Sequence, residues 1–159
     1  MTRYDVGIGD FLVLSQPDSE IKTYALGSCV ALVVWDSKKS LGGLVHIALP
    51  ESKINEEKAR SKPCYFVDSG LPLFFSQLKK AGADRKFSTI KLIGGASILD
   101  DSRTFDIGRR NVLAVKKFLW QIGLGINAED IGGVISRTVS LNIETGKLLI
   151  SNSGKEWEL

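Results

Sequence analysis

The chain is poor in the residues that cross-link or metallate small proteins. Its 159 residues include two cysteines, one histidine and one methionine. Two thiols make no disulfide framework at this length, so a reducing compartment is expected. Cys29, Cys64 and the single histidine, His46, show neither CxxC nor HxxxH spacing, so no zinc or other metal site is expected. No apolar run approaches the ~18 residues of a membrane span. Residues 1–10 carry Asp5 and Asp10 and no apolar stretch, so neither a signal peptide nor membrane insertion is expected, and the expected location is cytoplasmic. Neither sign of charge dominates: 21 Lys+Arg against 18 Asp+Glu leaves a formal net charge of +3. The basic cluster of Arg109, Arg110, Lys116 and Lys117 falls in a helical pattern and reads as a solvated face, which argues against nucleic acid as a partner.

What is present is an apolar content large enough for a core without such cross-links. Residues 7–50 alternate short β-rich runs with turns. Residues 11–14 and 21–24 are strand candidates, and Leu26, Gly27 and Ser28 form a tight bend. Residues 29–35 are β-branched and apolar, and residues 41–49 return as the next strand until Pro50, which suggests a β-meander. Residues 51–62 are charged without apolar periodicity and read as an exposed loop. Phe66, Leu71, Phe74 and Leu78 then recur at helical steps, closed by Gly82, although Pro72 argues for a start near Gly70. Residues 89–93 form a strand running into Gly94 and Gly95. Residues 99–106 read as a polar loop that carries Phe105. Val112, Val115, Leu119 and Ile122 mark a second amphipathic helix, and the tail returns to strands near residues 124–131, 137–143 and 148–150. No repeat or low-complexity segment interrupts this. The fold class expected is a single α/β domain over residues 1–159, a layered sandwich with a mostly antiparallel or mixed sheet and two principal helices.

Cys29 sits where the Gly-Ser bend meets an apolar strand. Such a bend exposes sulfur, while the backbone N–H groups of Ser28 and Cys29 can face a developing oxyanion. A hairpin turning near residues 37–39 pairs residue i with roughly 75 − i, up to a slip of a residue or two, which sets Cys29 beside His46. There imidazole could deprotonate the thiol and hold an ion pair. Thr23, on the preceding strand, is a candidate to orient the ring. Yet a buried strand cysteine is usually a small hydrophobe, and a lone histidine near a sheet edge is usually structural. Spacing leaves both readings open. The Gly94-Gly95 pair lacks the rest of a phosphate-binding motif, so close backbone packing is the expected reason for it.

The run Thr23-Tyr-Ala-Leu-Gly-Ser-Cys-Val30, followed by His46-Ile-Ala-Leu-Pro50, resembles the signature of the chemoreceptor glutamine deamidase family, CheD. Ile93-Gly-Gly-Ala96, Ile107-Gly-Arg-Arg-Asn111, Gly132-Gly133 with Arg137, and Asn142-Ile-Glu-Thr-Gly146 occur in the family's order, so the likeness covers about residues 7–150. Ala25 stands where the family commonly has a second glycine. The resemblance implies a catalytic cysteine, histidine and threonine at Cys29, His46 and Thr23. It also implies a fold like the catalytic domain of Rho-deamidating toxins. The activity implied is protein-glutamine glutaminase, an amidohydrolase that turns receptor glutamines into glutamates without a cofactor, in chemotaxis adaptation. The partners implied are the cytoplasmic helices of methyl-accepting chemoreceptors and the phosphatase CheC. Phe105 is the candidate contact for such partners, with a folded-back cap on the following helix as the alternative. A pure binding module and a thiol peptidase of other specificity are the competing functions.

Overall fold

The computed structural model describes residues 1–98 and 105–159. In chain order its main elements are β1 (Thr2–Asp5), β2 (Phe11–Leu14), β3 (Ser19–Leu26), β4 (Val30–Asp36), β5 (Leu41–Ile47), α1 (Glu56–Ser61), α2 (Val67–Ala81) and β6 (Ser88–Gly94). They continue as α3 (Ile107–Gln121), β7 (Ala128–Ile131), β8 (Arg137–Asn142), β9 (Leu148–Asn152) and β10 (Lys155–Glu158). The strands form two five-stranded sheets, ordered β1-β3-β8-β9-β10 and β2-β5-β4-β6-β7. Each is mixed, with one parallel pair, β1 with β3 and β6 with β7.

Period-two alternation in β4 explains the layering. Val30, Leu32 and Val34 point to one side, where they meet Leu71, Phe74 and Leu78 of α2 and Val112, Val115 and Leu119 of α3. Ala31 and Val33 point to the other side, where they meet Ile21, Val139, Leu141 and Ile150 of the facing sheet. A strand buried on both faces needs the continuous apolar run seen at residues 30–35. The first third is therefore not one meander. β2, β4 and β5 share a sheet, while β3 leaves it to pair with β8.

Three local readings change. The charged residues 51–62 hold α1, a short surface helix capped by Asn55, whose side chain accepts from the Lys58 N–H. It buries no residue, so no apolar period announces it. Helix α2 begins at Val67 and accommodates Pro72 in its interior. Pro72 faces solvent, and the N–H it lacks removes one hydrogen bond, to Asp68 in the first turn. At the end of β3 the ladder shifts between Thr23 and Leu26, and Ala25 takes φ +54°. That left-handed position is one that glycine adopts without the cost a Cβ brings. The segment 99–104, part of the expected polar loop, lies outside the described residues.

Candidate active site

The β4–β5 hairpin pairs Ala31 with His46 and Asp36 with Leu41, so partners sum to 77 rather than 75. The cause lies in the turn. The buried Asp36 carboxylate accepts from the Lys38 and Lys39 N–H groups, and Ser40 turns the chain back at φ +47°. The turn is thus centred one residue later than expected. A shift of two keeps every side chain on its face. Cys29 packs against the inter-sheet core and His46 meets Thr23 of the facing sheet. Continued one residue past Val30, the register would make them diagonal neighbours, roughly 7–8 Å apart on regular strands.

Thr23 reaches His46 from that second sheet. Its Oγ1 donates to the Val6 carbonyl at 2.7 Å and lies 2.6 Å from His46 Nδ1. A hydroxyl has one proton. With that proton on Val6, Thr23 accepts from Nδ1–H, and the ring's lone pair is left on Nε2. His46 Nε2 is buried and has no hydrogen-bond partner among the described residues. The β1–β2 loop holds the ring's backbone on both sides: Gly9 N–H donates to the His46 carbonyl and His46 N–H to the Asp10 carbonyl. The hydrogen bonds of Val6, Gly9 and Asp10 at this site all come from backbone atoms, which residue type does not report.

The Cys29 bend is fixed through its carbonyls. Gly27 O accepts from Ala96 N–H, Cys29 O from Gly95 N–H and Ser28 O from Asn111 Nδ2, all at 2.8–2.9 Å. Among the described residues no acceptor takes the Ser28 or Cys29 N–H apart from the Cys29 sulfur itself, which its own N–H approaches. Gly94 backs the bend at φ +107°, and a Cβ there would run into the Cys29 carbonyl. The glycine pair thus serves close packing.

Asn111 is the residue whose role escaped sequence reading. It is fully buried on α3, and its Nδ2 donates both to Ser28 O at 2.9 Å and to Ala48 O at 3.0 Å. One amide therefore ties the cysteine bend to the end of the histidine strand. The available signal was a polar residue on the apolar stripe, one and two turns before Val115 and Leu119. Removing the amide strands two carbonyls, each costing about 1–3 kcal/mol when buried. Asn111→Ala should therefore lower stability by at least about 2 kcal/mol and cut turnover roughly tenfold or more. Urea unfolding and an ammonia assay read the two effects, and unchanged values in both would remove Asn111 from the site.

Electrostatics oppose a resting ion pair. Burial holds the Cys29 thiol above its ordinary range, offset in part by its own N–H. Burial also lowers His46 to about 4, against a smaller opposing pull from the Asp10 carboxylate. Burial thus favours the neutral form of both groups. Cys64 lies outside this arrangement. It sits buried in a turn before α2, donates to the Gly70 carbonyl and is pushed up to about 11 by burial. Phe105 lies just ahead of α3 and is 67% exposed, away from the core expected of a folded-back cap.

Residues 48–152 match the family described as CheD chemotactic sensory transduction. That stretch begins beyond His46, but the full-length relatives extend over the whole arrangement. A probable chemoreceptor glutamine deamidase CheD of Syntrophotalea carbinolica is 45% identical over 162 residues, covering 100% of both chains. A probable chemoreceptor glutamine deamidase CheD 1 of Syntrophus aciditrophicus is 43% identical over 94% of this chain and 93% of its own. The chemoreceptor glutamine deamidase CheD of Thermotoga maritima is 40% identical over 94% of this chain and 91% of its own. By the family match and these end-to-end similarities, the chain belongs to the CheD family.

Proposed function

We propose that this chain is a protein-glutamine glutaminase acting on methyl-accepting chemoreceptors, with Cys29 as nucleophile, His46 as general base and acid, and Thr23 orienting the ring. The observation that carries the reading is the Thr23 to His46 contact, which leaves a free Nε2 lone pair on the face that Cys29 shares. As Sγ bonds to the carboxamide carbon, its proton passes to Nε2, and the oxygen gains negative charge opposite the Ser28 and Cys29 N–H groups. Imidazolium then protonates the amide nitrogen, the C–N bond breaks and ammonia leaves a thioester. Water adds to that carbon and gives its proton to Nε2. The C–S bond breaks, sulfur recovers the proton, and glutamate is released.

The reading includes residues 1–159 as one deamidase domain, with the layered likeness to Rho-deamidating toxins that the resemblance implies. It places the protein in the cytoplasm, and among the described residues no helix is long and apolar enough to cross a membrane. Incubation with a purified receptor cytoplasmic domain should release ammonia and convert defined glutamines to glutamate by peptide mass. Cleavage of the peptide chain with side-chain amides untouched would favour a peptidase instead, and binding without ammonia would favour a binding module.

Phe105 and CheC belong to the same proposal. An aromatic this exposed, at the start of the helix that carries Asn111, suits a partner contact. Phe105→Ala should weaken receptor and CheC binding by roughly 2 kcal/mol. Melting temperature and Cys29 alkylation should stay near wild type. A large fall in melting temperature with unchanged affinity would return Phe105 to a structural role.

A further inference from the structure

Apolar side chains stand in water beside the cysteine bend, on two segments tied to each other. Ile98 is 47% exposed, Val134 72% and Ile135 40%. The tip of Ile98 lies over Gly27, where an added Cβ would come within 3.1 Å of it. The backbone links the two segments through Ser97 N–H to Gly133 O and Gly132 N–H to Gly94 O, both at 2.9 Å. One ladder of bonds therefore runs from the bend through residues 94–98 to the loop that joins β7 and β8.

That loop is held unusually firmly for one that exposes aliphatic residues. Arg137, only 5% exposed, donates from Nε to Asp130 at 2.9 Å and from Nη1 to the carbonyls of Gly132 and Ile135. Trp157 Nε1 donates to the other Asp130 oxygen, and Asn152 anchors the Ser136 carbonyl. An ion pair between the buried Arg137 and the half-buried Asp130 contributes little net stability, but its several hydrogen bonds hold the loop in one shape. A loop fixed in shape presents its side chains without the ordering cost that a mobile loop pays on binding. Single exposed aliphatics need no explanation, whereas a preorganised group beside the candidate nucleophile does.

We propose that Ile98, Val134 and Ile135 form the docking surface for apolar side chains that flank the reacting glutamine on the chemoreceptor. This rests on the deamidase reading for its choice of partner. A glutamine whose carboxamide reaches Cys29 brings its own neighbours over the residues that border the bend. On a helical substrate those are the side chains three and four positions away. The surface therefore selects glutamines with apolar neighbours at that spacing and acts on affinity for folded receptor rather than on the thiol.

The test measures binding of a purified chemoreceptor cytoplasmic domain to the Cys29→Ala protein, with and without Val134→Asp, at one ionic strength. Val134→Asp should raise Kd tenfold or more, and Val134→Ala by less. Trp120→Asp, the same charge change on an 81% exposed side chain at the far end of α3, should leave Kd within twofold. In the background that keeps Cys29, Val134→Asp should leave iodoacetamide labelling of that thiol at the wild-type rate. Equal binding with and without Val134→Asp overturns the proposal, as does an equal loss with Trp120→Asp or no binding by the parent protein. Because binding is read without turnover, a parent that binds but whose Cys29 form releases no ammonia would overturn the deamidase reading and leave this surface standing.

Discussion

Cys29→Ala should abolish ammonia release from receptor glutamines, by a factor on the order of 10⁴ or more, while the protein still folds. The size follows from the chemistry: a methyl group cannot form the thioester, and what remains is binding and oxyanion stabilisation. The tolerance follows from the packing. Cys29 is only partly buried at the margin of the inter-sheet core, and the bend is held by carbonyls of the main chain, which the substitution leaves in place. Cys29→Ser should be nearly as inactive, since a hydroxyl is a far poorer nucleophile beside a base of such low affinity for protons. Cys64 supplies the internal control. Its thiol is buried and pushed up to about 11, so it should resist iodoacetamide in the folded protein, and Cys64→Ala should keep its activity. Peptide mapping after alkylation, beside an ammonia assay of the three variants, decides the matter. Near-normal turnover by Cys29→Ala would remove the nucleophile from the mechanism.

Why some of this site was legible in the sequence and some was not comes down to which forces are local. The continuous apolar run of residues 30–35 reports that β4 is covered on both faces, and the bend, the hairpin and the amphipathic stripes of α2 and α3 are all written in short-range pattern. Alternation says which side a residue faces and nothing about what lies opposite. Hence β3 could be drawn as a strand of one meander, although its Ile21 and Thr23 face inward from a second sheet. The hairpin register was off by two because Asp36 reshapes the turn, an interaction of one side chain with two backbone amides that residue type alone only suggests. The even slip moves the partner of His46 from Cys29 to Ala31, yet it keeps every residue of the two strands on its expected face. The edge strands β1 and β10 carry mostly exposed residues, and with no buried face there was no period to read. Burial itself was the other hidden quantity. A cysteine and a histidine side by side suggest an ion pair, and only the depth of the inter-sheet gap turns the balance toward two neutral groups.

His46→Gln should be as damaging as loss of the thiol, because groups that act as one unit are not additive. Glutamine can still meet Thr23, but it has no basic nitrogen to take the sulfur proton. If the resting pair is neutral, iodoacetamide labelling of Cys29 should rise only above the ordinary cysteine range, in wild type and variant alike. A thiolate already present near pH 6 in wild type and lost in His46→Gln would restore the ion pair and overturn the neutral one. The histidine's depressed value also sets the sign of two pH effects. With His46 as the proposed base, turnover would need the neutral ring, so its acid limb should lie near 4 rather than near 6.5. Between those values the unfolded chain binds a proton that the folded chain refuses, so stability falls as pH falls through that window. Relative to His46→Gln, wild type should lose roughly 3 kcal/mol between pH 6.5 and 4, from the shift of 6.5 to about 4, with no difference between them above pH 7. Urea unfolding at pH 7.5, 5.5 and 4.5 on both proteins measures it, and parallel pH curves would mean that the ring is not desolvated. Thr23→Ala should cost less than either residue, on the order of tenfold to a hundredfold, with Thr23→Ser restoring most of it. The reason is that the hydroxyl holds only Nδ1 of the ring, while the proposed proton transfers use Nε2.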